Sequence, residues 1–361
     1  MSTEDRIADL VKNAMKEALE KRAGVEAMES MVKEEVPEVA PEPVKEIVLE
    51  KNQQKFSKLL GKRSHKNDFA VTVFKDEDWN EEVRCFIPKV KEDYYLVPEH
   101  AEAILRAWEL NEKVLIHGPT GAGKSSIVEQ LCAITRRPFI RVNCTGDMDS
   151  SMVFGQLMVK DASTVWADGP VTEAVRHGAV FAWDEWDVTP PEISMGLQWL
   201  LEEDSKLFLK EMPGAAVDKF IEPHKNFRLV ALGNTQGQGD DTGSHAGTNV
   251  QNTATLDRFG TTIRIGYLPE KIEIGMLTAK VGKGLEEKVI GNLVKLAGLV
   301  RQGYQQGQLS LTLSPRSLIS ICRKMQYNLS LEDSLDLVYA NKLTSMQQKV
   351  VYELRRKVFG K

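Results

Sequence analysis

The chain has 361 residues, enough for two or three domains and a sizeable core. Apolar residues make up 42% and charged residues 27%, which excludes a wholly disordered or collagen-like chain. A net charge of −5 argues against a globally basic nucleic-acid coat, though it leaves room for a local basic patch.

The longest apolar runs, Val114–Ile116, Val180–Trp183 and Leu229–Leu232, fall far short of the ~18 residues a membrane span needs, so no membrane partner is expected. The opening Ser2, Thr3, Glu4, Asp5 is no signal sequence. Cys85, Cys132, Cys144 and Cys322 show no CxxC spacing. They read as reduced thiols of a cytoplasmic protein, with no zinc site and no disulfide framework.

Residues 1–50 carry 13 acidic and 7 basic side chains. Ile7, Leu10, Val11, Ala14, Ala18 and Leu19 recur at helical spacing and predict a helix over about residues 3–34. Pro37, Pro41 and Pro43 then predict an extended linker. A basic run follows, Lys51, Lys55, Lys58, Lys62, Arg63 and Lys66, which reads first as a solvated face and second as a contact for nucleic acid or an acidic partner.

From about residue 99 short apolar strands alternate with helices. Val114–His117, Phe139–Asn143, Val180–Asp184, Phe227–Gly233 and Thr262–Tyr267 predict a parallel sheet in an α/β domain. Beyond Pro269, residues 285–306, 315–328 and 331–358 read as helices of a small C-terminal domain. The expected division is 1–84 as an N-terminal helical extension and linker, 85–269 as the α/β domain and 270–361 as a helical lid. The motor itself is expected to need only the chain from about Cys85 onward.

Gly118, Pro119, Thr120, Gly121, Ala122, Gly123, Lys124 and Ser125 match GxxxxGK[ST] in full. The match follows an apolar strand and opens a helical run from Ser126. Glycines there let successive backbone N–H groups turn inward around phosphate oxygens at a helix N-terminus. Lys124 is expected to reach the β- and γ-phosphates of ATP, and Ser125 to ligate Mg²⁺. About 60 residues on, Val180-Phe-Ala-Trp-Asp184-Glu185 is an apolar strand ending in two acids. Asp184 is expected to hold the metal and Glu185 to polarise the attacking water. A third strand ends at Asn234, whose amide reaches the γ-phosphate if that strand lies between the other two.

These residues together resemble the AAA+ ATPases, in the branch with extra β-hairpins that holds the MoxR proteins and chelatase motor subunits. The resemblance implies an AAA+ P-loop fold with a parallel sheet, a hairpin over Gln156–Asp168 and a second one from Leu207–Leu209 to Phe220–Ile221. In Leu256-Asp257-Arg258-Phe259 it implies an arginine finger at Arg258, and in Ser314-Pro315-Arg316 a second sensor at Arg316. A finger serves a neighbour's site, so the resemblance also implies a homo-oligomeric ring, a hexamer.

A more particular resemblance is to the CobS-type cobaltochelatase ATPase subunits. It rests on Pro88-Lys-Val-Lys-Glu-Asp-Tyr94-Tyr-Leu, on Pro223-His224-Lys-Asn-Phe227-Arg228, and on the polar Gly-rich segment Gly233–Gly243 with His245–Asn249. It implies a partner with a metal-ion-adhesion domain. Three uses stay open: a chelatase-type motor, a MoxR-like chaperone for protein complexes, and a nucleic-acid-processing factor.

Overall fold

A computed structural model describes residues 49–62, 66, 68–235, 237 and 253–360. The expected helix over 3–34, the proline linker and the polar segment Gln236–Asn249, except Gly237, lie outside the described residues.

A small antiparallel pair comes first, β1 (Gln53–Lys55) and β2 (Ala70–Thr72), with a helical turn at Phe56–Leu59. Helix α1 (Pro98–Glu109) leads to β3 (Val114–His117), α2 (Lys124–Thr135) and β4 (Phe139–Asn143). The hairpin β5 (Gly155–Lys160) and β6 (Ser163–Asp168) precedes α3 (Pro170–His177), β7 (Val180–Asp184) and α4 (Pro191–Gln198). A second hairpin, β8 (Leu207–Phe208) and β9 (Phe220–Ile221), leads to β10 (Arg228–Gly233) and β11 (Thr261–Arg264). Five helices finish the chain: α5 (Glu270–Val281), α6 (Glu287–Gln305), α7 (Pro315–Gln326), α8 (Leu331–Val338) and α9 (Ser345–Phe359).

Five strands form one parallel sheet in the order β11-β3-β10-β7-β4. Such strands are covered on both faces, so they read as continuous apolar runs, and every residue of β3 and β7 is buried. Period-two alternation then sorts their side chains. Phe181 and Trp183 of β7 face a core with Val171 and Val175 of α3 and Ile193 and Leu197 of α4. Val180 and Ala182 face the opposite core, with Ile104 and Trp108 of α1 and Val128 and Leu131 of α2. A separate core joins the C-terminal helices through Leu277, Leu293, Val300, Leu318 and Leu335.

Helix starts follow the local chemistry. Proline stands in the first turn of α1, α3, α4 and α7, where no N–H partner is lost. Ser314, Ser330 and Thr344 cap α7, α8 and α9.

One expectation gives way, and two features stand outside what the sequence announced. The helix expected over 331–358 is two helices, because the chain turns between Tyr339 and Thr344. Tyr339 and Leu343 are buried there, and the Tyr339 hydroxyl donates to the Leu311 carbonyl at 2.6 Å. Helix α5 carries no clear apolar stripe, since Glu273 is one of its two fully buried residues, and periodicity does not announce it.

The other feature is the stretch before Cys85. Phe56 and Val71 are fully buried in the same core as α1, and Thr72 donates to Glu109 through both N and Oγ1, at 2.9 and 2.8 Å. Lys51, Lys55, Lys58 and Lys62 are thus exposed residues on a folded element whose Phe56 and Val71 belong to the core beneath α1.

Candidate active site

β3, β10 and β7 lie side by side, with Gly233 opposite His117 and Leu232 opposite Asp184. All three end at one edge, so the chain after His117, Gly233 and Asp184 converges there, where α/β sheets place their ligands. Asn234 therefore sits between the glycine-rich loop and the acidic pair, on the strand order the sequence reading requires.

The glycine-rich loop folds in the shape its sequence implies. Gly118 N donates to Gly233 O at 3.3 Å, and a Cβ on Gly118 would fall 1.9 Å from Ile265 O, so no other residue fits. Gly123 is left-handed (φ 98°) and offers no side-chain cap to the first turn of α2. A Cβ there would meet nothing within 4 Å. The result is an open loop at the positive end of a helix, suited to an anion.

Lys124 is 8% exposed and its ammonium points back into this loop. Nζ donates to Gly118 O at 2.7 Å, Pro119 O at 3.3 Å and Asn234 Oδ1 at 2.9 Å. Burial pulls its pKa below the ordinary lysine value, opposed by the charges of Glu185, Asp184 and Asp187. Asn234 also donates through Nδ2 to Glu185 Oε2 at 2.7 Å, so one amide bridges the lysine and the carboxylate. Thr120 Oγ1 lies 3.4 Å from the same Asn234 Oδ1.

Glu185 holds a left-handed backbone (φ 55°), a cost that an ordinary strand end avoids and that marks functional sites. Burial raises its pKa first, then Asp187 and Asp184; the Asn234 hydrogen bond and Lys124 oppose them. Asp184 is 4% exposed. Its Oδ1 accepts from Glu185 N at 3.1 Å, and its Oδ2 pairs with Arg141 at 2.5 Å.

These atoms line a cleft of about 700 Å³ between the sheet edge and the C-terminal helices. Loop residues Thr120–Ser126 lie along it with Asp184, Glu185 and Asn234. Tyr94, Tyr95 and His100 line one side, and Met276, Lys280, Arg316 and Arg323 the lid side. Arg316 is thus brought to the loop from the first turn of α7.

Arg258 is not. Thr261 pairs with Val114 at the start of β3, so Arg258, three residues earlier, lies at the sheet edge opposite to the loop. Its Nε pairs with Glu202 at 2.7 Å and its Nη1 donates to Ala254 O at 2.7 Å.

Two residues at this edge escaped the sequence reading. Arg141 is a cation on an exposed position of β4, and its contact with Asp184 follows only from the pairing of β4 with β7. Asp187 is fully buried, and its Oδ2 accepts from Asn234 N, Thr235 N and Thr235 Oγ1 at 2.9–3.0 Å. It fixes the backbone that carries Asn234. The third acid in Asp184-Glu185-Trp186-Asp187 was its available signal.

The phosphate loop, the acidic pair and Asn234 lie within a stretch of chain that matches a known family. The family described as AAA domain (dynein-related subfamily) matches residues 113–259. The aerobic cobaltochelatase subunit CobS of Sinorhizobium sp is 30% identical over 285 residues, 76% of this chain and 84% of that protein. An uncharacterised protein of Staphylococcus aureus (strain NCTC 8325 / PS 47) is 26% identical over 221 residues, 60% of this chain and 78% of its own length. Among solved structures, the RuvB Holliday junction branch migration motor of Thermotoga maritima is 16% identical, with a TM-score of 0.42, over 76% of this chain and 72% of that one.

Proposed function

The chain belongs to the AAA+ ATPases of the MoxR and chelatase branch, and from that premise we propose a Mg-ATP-hydrolysing ring motor, resembling the CobS-type cobaltochelatase subunit, that couples hydrolysis to remodelling of a partner complex. One observation carries this reading: Lys124, Asn234 and Glu185 form a continuous hydrogen-bonded row beside an open phosphate loop. The row has a cation for phosphate at one end and a carboxylate for water at the other.

The roles follow from the chemistry of each group. Backbone N–H groups from Gly121 to Ser126 take the phosphate oxygens, with Lys124 as counter-charge. Glu185, with its raised pKa, accepts a proton from the attacking water. Asn234 orients that water and senses the γ-phosphate. Arg316 adds charge from the lid.

The donor set fits a magnesium ion. Ser125 offers a hydroxyl, and each Asp184 oxygen keeps a lone pair beyond its present contact. Mg²⁺ bound there would neutralise charge on the phosphates. Ring formation as a hexamer, a metal-ion-adhesion-domain partner and a cytoplasmic setting belong to the same proposal. Among the described residues no helix is long and apolar enough to cross a membrane.

Two variants test it. Lys124→Ala is expected to abolish tight ATP binding. Glu185→Gln is expected to bind ATP and to lose about 10²–10⁴-fold in turnover, the usual contribution of a general base. Wild-type turnover in Glu185→Gln would remove Glu185 from the reaction.

A further inference from the structure

Tyr267 lies in the short connection between β11 and α5, where the α/β domain hands over to the lid. Its hydroxyl donates to the Thr120 carbonyl of the phosphate loop at 3.0 Å. The same oxygen lies 3.2 Å from Thr312 Oγ1. A phenol donates one hydrogen bond and accepts others, so both contacts are satisfied together when Thr312 is the second donor. Thr312 is four residues ahead of Arg316.

The ring is held from its other side. The Arg301 guanidinium, from α6, stacks 4.0 Å from the ring centroid. Arg301 Nη1 and Nη2 each donate to the Glu273 carboxylate of α5 at 2.7 Å, and Nε donates to Leu313 O at 3.0 Å. Glu273 is 1% exposed and Arg301 9%, so this bidentate pair is shielded from water and geometrically strict. One guanidinium thereby fixes the first lid helix, the second lid helix, the Thr312–Leu313 strap and the tyrosine face.

The loop meets the same strap directly. A Cβ on Gly121 would come 2.7 Å from Ser314 Cβ, so the loop backbone already packs on the cap of the helix that bears Arg316. A shift of the Thr120 carbonyl therefore has a short, stiff path to Arg316.

We propose that Tyr267 is a positioning residue: its hydroxyl couples the state of the phosphate loop, through Thr312, to the placement of Arg316 against the bound nucleotide. This rests on the nucleotide reading of the cleft. The Glu273–Arg301 pair is the anchor that makes the tyrosine a lever and not a loose contact.

Tyr267→Phe is the clean test, because it removes the hydroxyl and keeps the ring under Arg301. Labels at the exposed positions Leu110 and Tyr327 report the separation of the α/β domain and the lid in the full chain. Binding of a non-hydrolysable ATP analogue is measured on the same samples.

Tyr267→Phe is expected to unfold at the wild-type temperature and to bind the analogue within about threefold of wild type. It is expected to lose most of the analogue-induced distance change and to lower kcat with little effect on KM. Its effect is expected not to add to that of Arg316→Ala, since both break one path. A full wild-type distance change in Tyr267→Phe, or strict additivity with Arg316→Ala, would overturn the coupling. Failure of the unmodified chain to bind the analogue would instead overturn the nucleotide reading.

Discussion

At the scale of single residues, the site is a set of groups whose charges are held against their preference. Glu185 is a half-buried carboxylate beside two further acids, and its pKa stands above the ordinary glutamate range. Two outcomes follow with a definite sign. As a base it works only when ionised, so turnover is expected to fall on acidification at a pH above that for an unperturbed glutamate. The Asn234 hydrogen bond opposes the shift, so Asn234→Ala is expected to move that midpoint further up; a pH–rate profile of both proteins reads it. For stability the folded pKa exceeds the unfolded one. The contribution is therefore fully present below the unfolded pKa and lost as pH rises through the folded pKa. Glu185→Gln removes that loss, so its advantage in Tm over the wild type, without nucleotide, is expected to grow from acidic to neutral pH. An advantage that stays constant across the series would deny the shift. Asp184, Glu185 and Asn234 were legible because they stand at the ends of apolar strands, and Lys124 because it closes a glycine-rich loop with a known chemical demand. Arg141 and Asp187 were not, because their roles depend on which strand lies alongside and on where a buried oxygen points.

At the scale of elements, parallel strands were the plainest text. β3, β4 and β7 have the bounds that the sequence predicts; β3 and β7 are buried on both faces with every residue covered, while β4 alternates buried Ile140 and Val142 with exposed Arg141 and Asn143. The hairpins β5–β6 and β8–β9 were legible only through a family likeness; β5 is mostly exposed and shows no apolar face of its own. The β1–β2 pair was hidden differently. Lysines dominate its sequence, while a few apolar residues among them, Phe56, Val71 and the half-buried Leu59, do the packing. A chain starting at Leu49 keeps those contacts, and one starting at Glu81 exposes the part of the core they cover. The longer chain is expected to unfold cooperatively near the full-length Tm, and the shorter one well below it. Phe56→Ala alone is expected to cost about 3–5 kcal/mol, the usual range for a buried phenylalanine. Denaturant melts of the two truncations and the point variant check this. A chain starting at Glu81 with full stability would show that the pair rests on the α/β domain without supporting it.

At the scale of the whole molecule, the position of Arg258 decides how many chains a turnover needs. The phosphate loop leaves β3 at its end, and Arg258 lies near its start, with the four residues of that strand between them. At ~3.3 Å per residue the strand alone separates them by more than 10 Å, beyond contact with a phosphate held in the loop. If Arg258 touches a γ-phosphate, the phosphate belongs to another chain. Head-to-tail contacts of that kind form rings where the rotation from one chain to the next closes. The pair with Glu202 is no obstacle, since both side chains are partly exposed and such pairs contribute only ~0–1 kcal/mol. The proposed ring therefore predicts complementation. Arg258→Ala keeps an intact loop and lacks the finger; Lys124→Ala keeps the finger and lacks the loop. Each alone is expected to be inactive. In rings mixed at equal amounts, about a quarter of interfaces join an intact loop to an intact finger, by random placement in a head-to-tail ring. Hydrolysis is expected to return on mixing to about that share of the wild-type rate. Sedimentation confirms that mixed rings have formed. Mixed rings that stay inactive would place the work of Arg258 within the chain that bears it, or remove it from hydrolysis.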